Sequence, residues 1–426
     1  MAKIQKYFWL GSLLVLIPIS CSLESPLSLA TVGEKNILFD DYEIKYQKYL
    51  TSIYQKDNLH NRKIFLNTMI DETLILNYAD QTGLISDLDL KRSLKRIHDQ
   101  VLLNHYYEKN IKPFTQPTEI ELRKIFSWYK TELHVKHIYA SSLDEANIYH
   151  QQLINGANWE LLAAQIFKDP ILKENGGNLG WRKMGELDPS FEVVAYTLND
   201  GEISHPVKTE TGYSIIQVIE REKDLLLTED EFKREIPYLT MIAENYKKVP
   251  LIREVTDRMK SQLNIKYNLD ELSKFYSDII NDIEYNPSKE DIVLTYNNKS
   301  QLSKSDVFRL LDQVSPRQFK KINSIENLER IISGLLVRTE ILNKAKELNI
   351  HQGNSFISET NEFQNRATVK FVLSKEFYDG ENSDKNPFIE DPKKYQTFRD
   401  SLANETEIII NQDLLKSFIL PIREKV

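Results

Sequence analysis

Apolar residues near the start of the chain recur every three to four positions, and this spacing predicts amphipathic helices that each bury one face. The pattern covers three stretches, Asp41 to Gln55, Asn61 to Thr82 and Ser86 to Asn110. Gly83 lies between the second and third stretches, where glycine commonly ends a helix. Pro113 and Pro117 then interrupt the pattern, because proline cannot donate the backbone hydrogen bond that a helix interior requires.

A different pattern covers the residues from Leu133 to Glu222. Three stretches, LHVKHIYA, ISHPVKT and GYSIIQVIE, have the character of strands, and helical stretches and a glycine-rich turn lie between the first two. Because side chains alternate along a strand, Leu133, Val135 and His137 share one face and His134 points to the other. This order predicts an α+β block with helices beside an antiparallel sheet.

The helical pattern returns from Glu229 to Gln262, with an interruption expected at Pro250. Later segments then repeat earlier ones. Residues 302–307 resemble 37–42, and residues 341–345 resemble 75–79, at offsets of 265 and 266 residues. Residues 406–418 resemble 263–275. The simplest account is two related helical units, the first interrupted by the α+β block. Chance similarity in a chain rich in Leu, Ile, Asn and Asp is the alternative.

The N-terminus has the pattern of a secretory signal. Lys3 and Lys6 precede an uncharged, mostly apolar run that ends at Cys21 and is short for a membrane-spanning helix. Ser20 before Cys21 resembles the lipobox of bacterial lipoproteins, in which the cysteine becomes the lipidated N-terminus, although Pro18 stands where a leucine is usual. Cleavage after Ala30 and an uncleaved anchor are the alternatives.

These patterns divide the chain into six predicted segments. They are a signal peptide at 1–20, a lipidated tether at 21–31, a helical unit at 32–130, the α+β block at 131–223, a helical segment at 224–290 and a second helical unit at 291–426. Within the last, the polar, proline-bearing stretch from Asp379 to Lys394 is predicted to be a loop.

Composition narrows the possible chemistry. The 426 residues include 55 Lys and Arg against 63 Asp and Glu, a formal net charge of −8, and no cationic cluster that nucleic acid would need. One cysteine excludes disulfides and a thiolate-rich zinc site, and the chain has no HExxH, CxxC or serine-nucleophile motif. The sequence therefore predicts no metal, no cofactor and no nucleic-acid partner.

The α+β block carries an ordered set of short motifs: His137-Ile138, the GGNLGW turn from Gly176 to Trp181, Phe191, the GEIS turn from Gly201, Pro206-Val207 and Gly212-Tyr213. This set resembles the parvulin family of peptidyl-prolyl isomerases, and the flanks resemble cell-envelope chaperone-isomerases of the SurA and PrsA type. The resemblance implies an α+β multidomain protein, in which mostly helical chaperone units flank a parvulin domain built of an antiparallel sheet with helices around it.

The resemblance also implies a site. Leu179, Leu187 and Phe191 match the three apolar residues of the family's prolyl pocket, and His137 matches its first-strand histidine. Asp169 matches a position where parvulins carry Cys or Asp, with capping of the loop before Pro170 as the alternative. Thr211 falls where a small hydroxyl residue is found. Ser214 stands where most active members have a second histidine, which puts efficient turnover in question.

We therefore expect a peptidyl-prolyl cis-trans isomerase and chaperone that binds unfolded or nascent exported polypeptides. The alternative is a non-catalytic chaperone whose parvulin domain only binds peptide, since Ser214 replaces the histidine. The signal pattern places the mature chain in the cell envelope, anchored through a lipid on Cys21, with the periplasmic side of the outer membrane favoured over the inner membrane. The sequence does not predict an oligomeric state.

Overall fold

The computed structural model describes residues 27–223, 226–281, 286–314, 316–378 and 387–420. The strands are β1 (Ser28–Val32), β2 (Lys35–Leu38), β3 (Thr131–Ala140), β4 (Asn178–Arg182), β5 (Val207–Lys208), β6 (Tyr213–Lys223), β7 (Lys266–Tyr267), β8 (Ile292–Tyr296), β9 (Ser300–Ser303) and β10 (Ile408–Ile410). The predicted signal peptide and Cys21 lie outside the described residues.

Helices make up most of the remainder. They are α1 (Phe39–Ser52), α2 (Leu59–Gln81), α3 (Leu88–Asn110), α4 (Glu119–Tyr129), α5 (Leu143–Ile154), α6 (Trp159–Ile166), α7 (Pro170–Glu174), α8 (Pro189–Thr197), α9 (Glu229–Leu263), α10 (Leu269–Asn281), α11 (Lys304–Leu311), α12 (Pro316–Phe319), α13 (Ile325–Glu347), α14 (Asn354–Tyr378), α15 (Pro387–Glu390), α16 (Pro392–Asn404) and α17 (Gln412–Ser417). The predicted α+β, mostly helical fold class is confirmed.

The chain forms two compact units. Unit 1 comprises Met1–Lys95 and Asn361–Val426, and unit 2 comprises Arg96–Thr360. Within the described residues, no helix is both long enough and apolar enough to cross a bilayer.

Unit 2 contains a four-stranded antiparallel sheet in the order β4-β3-β6-β5, with both faces covered. Leu133 and Val135 of β3 belong to the core that Phe191 of α8 and Leu239 of α9 complete. On the opposite face, Ile138 packs in the core formed with α5 and α6. The two-residue alternation predicted for β3 therefore places side chains on two buried faces.

Gly177, just before β4, allows the turn to approach β3 closely. Its carbonyl accepts a hydrogen bond from the His137 backbone N–H at 3.0 Å, and its φ is +73°. A Cβ atom at this position would lie 2.1 Å from the His137 carbonyl oxygen. Only glycine satisfies both the backbone conformation and the contact.

Unit 1 is built from both ends of the chain. Its sheet has the order β10-β1-β2, in which Ala30 pairs with Ile410 and Val32 with Ile408. Its core joins Leu29 and Tyr42 to Leu402 and Leu415. Residues 28–31 of β1 lie in the segment that the sequence division assigned to the tether at 21–31.

A second three-stranded sheet, β7-β8-β9, lies in unit 2 and has the same form as the sheet of unit 1. Helices α2 and α13 both have 23 residues and begin 266 positions apart, and α3 and α14 begin at the same offset. Asn58 and Ser324 are the N-caps of α2 and α13. After these two helices, Gly83 and Asn349 both have positive φ, +73° and +54°.

The third strand of each sheet comes from an unexpected part of the chain. Strand β7 precedes the β8-β9 hairpin that it joins, whereas β10 follows the β1-β2 hairpin across most of the sequence. This arrangement differs from the predicted division, which placed 266–281 in the segment 224–290 and kept 406–418 in the second helical unit. Each hairpin and its third strand thus come from different predicted segments.

Two local predictions are corrected. Helix α9 runs unbroken through Pro237 and Pro250, although an interruption was expected at Pro250. Buried side chains on both sides of Pro250, such as Tyr246 and Met259, hold the helix against its neighbours despite the missing backbone hydrogen bond. The loop predicted at 379–394 contains the starts of α15 and α16, both with proline in the first helical position. Residues 379–386 lie outside the described residues.

Arg62 connects α2 to the C-terminal end of unit 1. Its Nε donates to Asp57 Oδ1 at 2.8 Å, and its Nη1 donates to the carbonyls of Leu415 and Lys416 at 3.1 and 3.2 Å. The guanidinium also lies 3.8 Å from the centroid of the Phe418 ring. The side chain is largely buried, so each of these contacts replaces a lost contact with water.

We expect Arg62→Ala to lower the free energy of unfolding of unit 1 by about 2–3 kcal/mol, because it removes charge-assisted hydrogen bonds from a buried position. The described tryptophans, Trp128, Trp159 and Trp181, all lie in unit 2. In urea unfolding, the transition followed by far-ultraviolet circular dichroism should therefore shift to lower urea concentration. The transition followed by tryptophan fluorescence should not shift.

Arg366→Ala is the matched control, because this arginine of unit 1 is exposed and, within the described part of the chain, forms its ion pair with Glu362 one helical turn away. We expect it to change the free energy of unfolding by less than about 0.5 kcal/mol. Equal effects of the two substitutions would contradict the role given to Arg62.

Candidate active site

A cavity of about 1010 Å³ in unit 2 brings together six of the seven site residues predicted in the parvulin domain. Its lining includes His137, Leu179, Leu187, Phe191, Thr211 and Ser214. These residues come from β3, β4, the turn before α8, α8 itself, the turn after β5, and β6. Residues spread over 78 positions of sequence thus line one concave surface.

His137 forms the polar centre of this surface. Its Nδ1 lies 3.1 Å from the Ser214 hydroxyl oxygen, while Nε2 is buried and has no hydrogen-bond partner among the described residues. Burial lowers the pKa of His137 to about 4, because the surroundings disfavour the charged imidazolium. The imidazole is therefore neutral at pH 7 and carries one N–H, which either ring nitrogen can hold.

The β3–β6 register explains why Ser214 reaches His137. Ser214 lies opposite Tyr139, and His137 lies opposite Ile216, so His137 and Ser214 are diagonal neighbours on one face. Ser214 is 3% exposed and therefore has little access to water. Ser214, which stands where the parvulin resemblance predicts a second histidine, thus contacts His137.

The three apolar side chains reach the cavity in different ways. Leu179 is the extra residue of a β-bulge, because Val135 pairs with Gly180 and Lys136 pairs with Asn178. Bulges near functional sites commonly turn one side chain away from the regular alternation. Phe191 is 3% exposed, and its ring meets the His137 ring edge to face at a centroid distance of 5.9 Å.

Glu192 holds the turn that presents Leu187. Its carboxylate accepts hydrogen bonds from the backbone N–H groups of Gly185 and Leu187 at 3.0 and 2.8 Å, and from the Tyr246 hydroxyl at 2.8 Å. Burial raises the pKa of Glu192, and the hydrogen bonds act in the opposite direction. This carboxylate therefore holds Leu187 in place through hydrogen bonds to the backbone of the turn.

Arg253 of α9 fixes the other side of the pocket. Its guanidinium donates to Asp188 Oδ2 at 3.0 Å, to Ser190 Oγ at 3.0 Å and to the Lys208 carbonyl at 2.8 Å. Asp188 in turn caps α8 and accepts from the Glu210 backbone N–H at 3.0 Å. The start of α8 and the turn after β5 are thus joined to the same helix.

The structure separates Asp169 from the other predicted residues. Asp169 is exposed, is the N-cap of α7 and accepts from the Leu172 backbone N–H at 3.0 Å. It does not line the cavity, so its contacts match the alternative of capping before Pro170. Thr211 lies at the exposed rim, where its carbonyl accepts from the Tyr139 hydroxyl at 2.8 Å.

Sequence reasoning missed Glu192 and Arg253. An acidic residue inside the apolar run FEVVAY was a usable signal for Glu192, since a buried carboxylate needs partners. Arg253 gave no such signal, because it lies among other charged residues of a helix outside the predicted domain. Within the described part of the chain, His, Cys, Asp and Glu side chains form no group of three that could hold a metal ion.

Comparison with known proteins identifies the domain that carries this cavity. Residues 134–220 match the family model of Rotamase, the PPIC-type PPIASE domain. Foldase protein PrsA 2 of Bacillus cereus is 28% identical over 227 residues, which cover 49% of this chain and 74% of the relative. Foldase protein PrsA of a Geobacillus species is 33% identical over 165 residues, covering 38% of this chain and 59% of the relative.

Among solved structures, the peptidylprolyl isomerase PrsA from Bacillus anthracis matches 50% of this chain and 96% of its own, at 24% identity and a TM-score of 0.26. The family match covers β3 to β6, the same elements that enclose His137. This chain therefore contains a PPIC-type peptidyl-prolyl cis-trans isomerase domain of the parvulin family, and PrsA foldases are among its homologues.

Proposed function

We propose that the cavity around His137 catalyses cis-trans isomerisation of X-Pro bonds in unfolded exported polypeptides. The observation that carries this proposal is the meeting of Leu179, Leu187 and Phe191 around a neutral imidazole in one cavity. The family match of residues 134–220 and the foldase names of the relatives agree with it.

The reaction needs no nucleophile. Rotation about the X-Pro bond is slow because amide resonance sets a barrier of ~18–20 kcal/mol, and both isomers are populated in unfolded chains. The twisted amide is less delocalised and less polar than either planar form. An apolar pocket that holds the pyrrolidine ring away from water therefore favours the twisted form over the planar ones.

His137 supplies the polar part of this mechanism. When the Ser214 hydroxyl donates to Nδ1, the imidazole proton lies on Nε2, the ring nitrogen that has no partner among the described residues. Nε2 is buried and is not exposed to the cavity, so His137 acts on the twisted state as a neutral dipole beside the pocket. A dipole that is held in place before the reaction stabilises this state without reorganisation.

We expect Phe191→Ala in the full chain to lower kcat/KM for a proline-containing tetrapeptide at least tenfold, because it removes one wall of the pocket. Leu161→Ala is the control, since Leu161 is an exposed apolar residue of α6 in the same domain. It should leave the rate within a factor of two of the unaltered chain. Unchanged activity in a folded Phe191→Ala protein would contradict the pocket assignment.

The hydrogen bond between His137 and Ser214 has a measurable signature of its own. Ser214→Ala should lower kcat/KM about fivefold, which corresponds to one hydrogen bond of about 1 kcal/mol. His137→Ala should lower it further, and the double variant should be no slower than His137→Ala alone. Effects that simply multiply in the double variant would show that Ser214 acts independently of His137.

The non-catalytic alternative makes a different prediction for the same assay. A parvulin domain that only binds peptide would show no isomerisation above background at micromolar enzyme, while still binding proline-containing peptides. The hydrogen bond retained between Ser214 and His137 supports the catalytic proposal instead.

We propose further that the flanking helical units are two copies of one chaperone module. The shared offset of α2 with α13 and of α3 with α14, the matching N-caps and the matching left-handed residues support a common origin. The broad apolar faces predicted for these helices are mostly buried in cores, so client binding by the modules rests on the foldase relatives and not on an exposed groove.

We also propose, from the sequence pattern, that the mature chain is extracytoplasmic and lipid-anchored at Cys21, with the periplasmic side of the outer membrane favoured. Mass spectrometry of the mature protein should show Cys21 as a lipidated N-terminal residue, and Cys21→Ser should move the protein out of the membrane fraction. An unmodified N-terminus after Ala30, or a retained Met1 region, would contradict the anchor.

A further inference from the structure

The cavity that contains the prolyl pocket extends beyond the parvulin domain. It continues between α9 and α13, where its lining includes Val249, Ile252, Ser333, Gly334 and Val337. The whole cavity measures about 1010 Å³, at the upper end of the range for sites that hold an entire small ligand. One pyrrolidine ring would occupy a small part of it.

Gly334 is the residue of this extension that the fold does not explain. It lies inside the 23-residue helix α13, where glycine is less favourable than alanine. Its φ is not positive, and apart from the backbone of its own helix turn and its two chain neighbours, a Cβ atom built on it would meet no atom of the described residues within 4 Å. Neither backbone conformation nor packing therefore requires glycine at this position.

The neighbours of Gly334 strengthen this point. Ile332, Ser333, Leu335, Leu336 and Val337 are all buried, so the exposed residue in this part of the helix is the one without a side chain. In the related helix α2, the position 266 residues earlier is Thr68, which is exposed. The absence of a side chain at 334 keeps the wall of the cavity open.

We infer that the wall formed by α9 and α13 is a second peptide subsite, which binds the substrate chain where it continues beyond the proline and takes an apolar side chain over Gly334. This inference rests on the proposed isomerase function. The occupant is the substrate itself because the subsite and the prolyl pocket form one continuous cavity. Val249 and Ile252 supply apolar contacts, and Gly334 lets a peptide backbone approach α13 closely.

The charges along the cavity agree with a peptide of mixed composition. Asp257 and Glu210 line it together with Lys260 and Arg330, so both signs are present. A cavity for a polyanion would carry cations without these carboxylates. Apolar contacts and backbone access thus provide the selectivity of this subsite.

The test uses the full chain and three peptides: a tetrapeptide with a central proline, and two versions extended by four residues, including leucines, on the N-terminal or the C-terminal side. The quantity compared is the ratio of kcat/KM for an extended peptide to that for the tetrapeptide. In the unaltered chain, this ratio should be five or more for at least one of the two extended peptides. Gly334→Leu should lower the ratio at least fivefold, because leucine fills the subsite.

Thr68→Leu is the matched control, since it adds the same side chain at the equivalent exposed position of α2. Its ratio should equal that of the unaltered chain. Gly334→Gln, a good helix former of similar length, serves as a second filling variant if Gly334→Leu fails to fold, and circular dichroism checks both. Three results would each overturn the inference. They are a ratio near one in the unaltered chain, a ratio that neither filling variant changes, and a loss of kcat/KM that is equal for all three peptides.

Failure of the proposed function gives a different result. If the unaltered chain isomerises none of the peptides, the isomerase proposal falls, and fluorescence anisotropy of the labelled extended peptides then tests the subsite alone. Binding weakened at least fivefold by Gly334→Leu but not by Thr68→Leu would support the subsite, and equal binding by all three proteins would overturn it.

Discussion

The pairing of β3 with β6 is the interaction on which the site depends. Ten residues of β3, from Thr131 to Ala140, pair with β6, and this ladder sets which side chains face each other. Because side chains alternate, a shift of one residue would move His137 to the face occupied by Ile138 and separate it from Ser214. The apolar residues on both faces fix the register, since a shift would also disturb both cores. The position of the imidazole is thus a consequence of core packing.

Much of this could be predicted from the sequence because the information is local. The alternation in LHVKHIYA is present in a few residues, and so is the glycine-rich turn that brings Leu179 near His137. The contacts of Arg253 could not be predicted, because they join α9 to Asp188, 65 residues earlier, through an arginine in a pattern typical of any solvated helix. The same holds for Pro250, where packing at a distance decides whether the helix continues.

Helix α9 links the cavity around His137 to its surroundings. Through Arg253 it holds the start of α8, and through Tyr246 it supports the carboxylate of Glu192 that orders the turn at Leu187. Further along, the same helix forms one wall of the subsite opposite α13. A chain that enters the prolyl pocket therefore meets surfaces whose positions all depend on one helix. The proposed subsite would thus give a domain of about 90 residues a binding surface larger than its own pocket.

Strand β10 pairs with the β1-β2 hairpin and strand β7 pairs with the β8-β9 hairpin. This choice needs a physical cause, because the segments that contain β7 and β10 have the same sequence pattern. Leu272 and Phe275 of α10 correspond to Leu415 and Phe418 at the end of the chain, and all four are buried. Loop-closure entropy grows only with the logarithm of loop length, so it separates the two possible pairings by about 1 kcal/mol. Chain connectivity alone therefore does not select the observed pairing.

Arg62 makes contacts that distinguish the two segments. It donates to the carbonyls of Leu415 and Lys416, which are free because α17 ends at Ser417 and leaves its last carbonyls without helical partners. In α10 the helix continues to Asn281, so the corresponding carbonyls are already used within it. At the position equivalent to Arg62, α13 carries Leu328, which is fully buried and needs no acceptor. An arginine in one copy and a leucine in the other thus match the two hairpins to different helices.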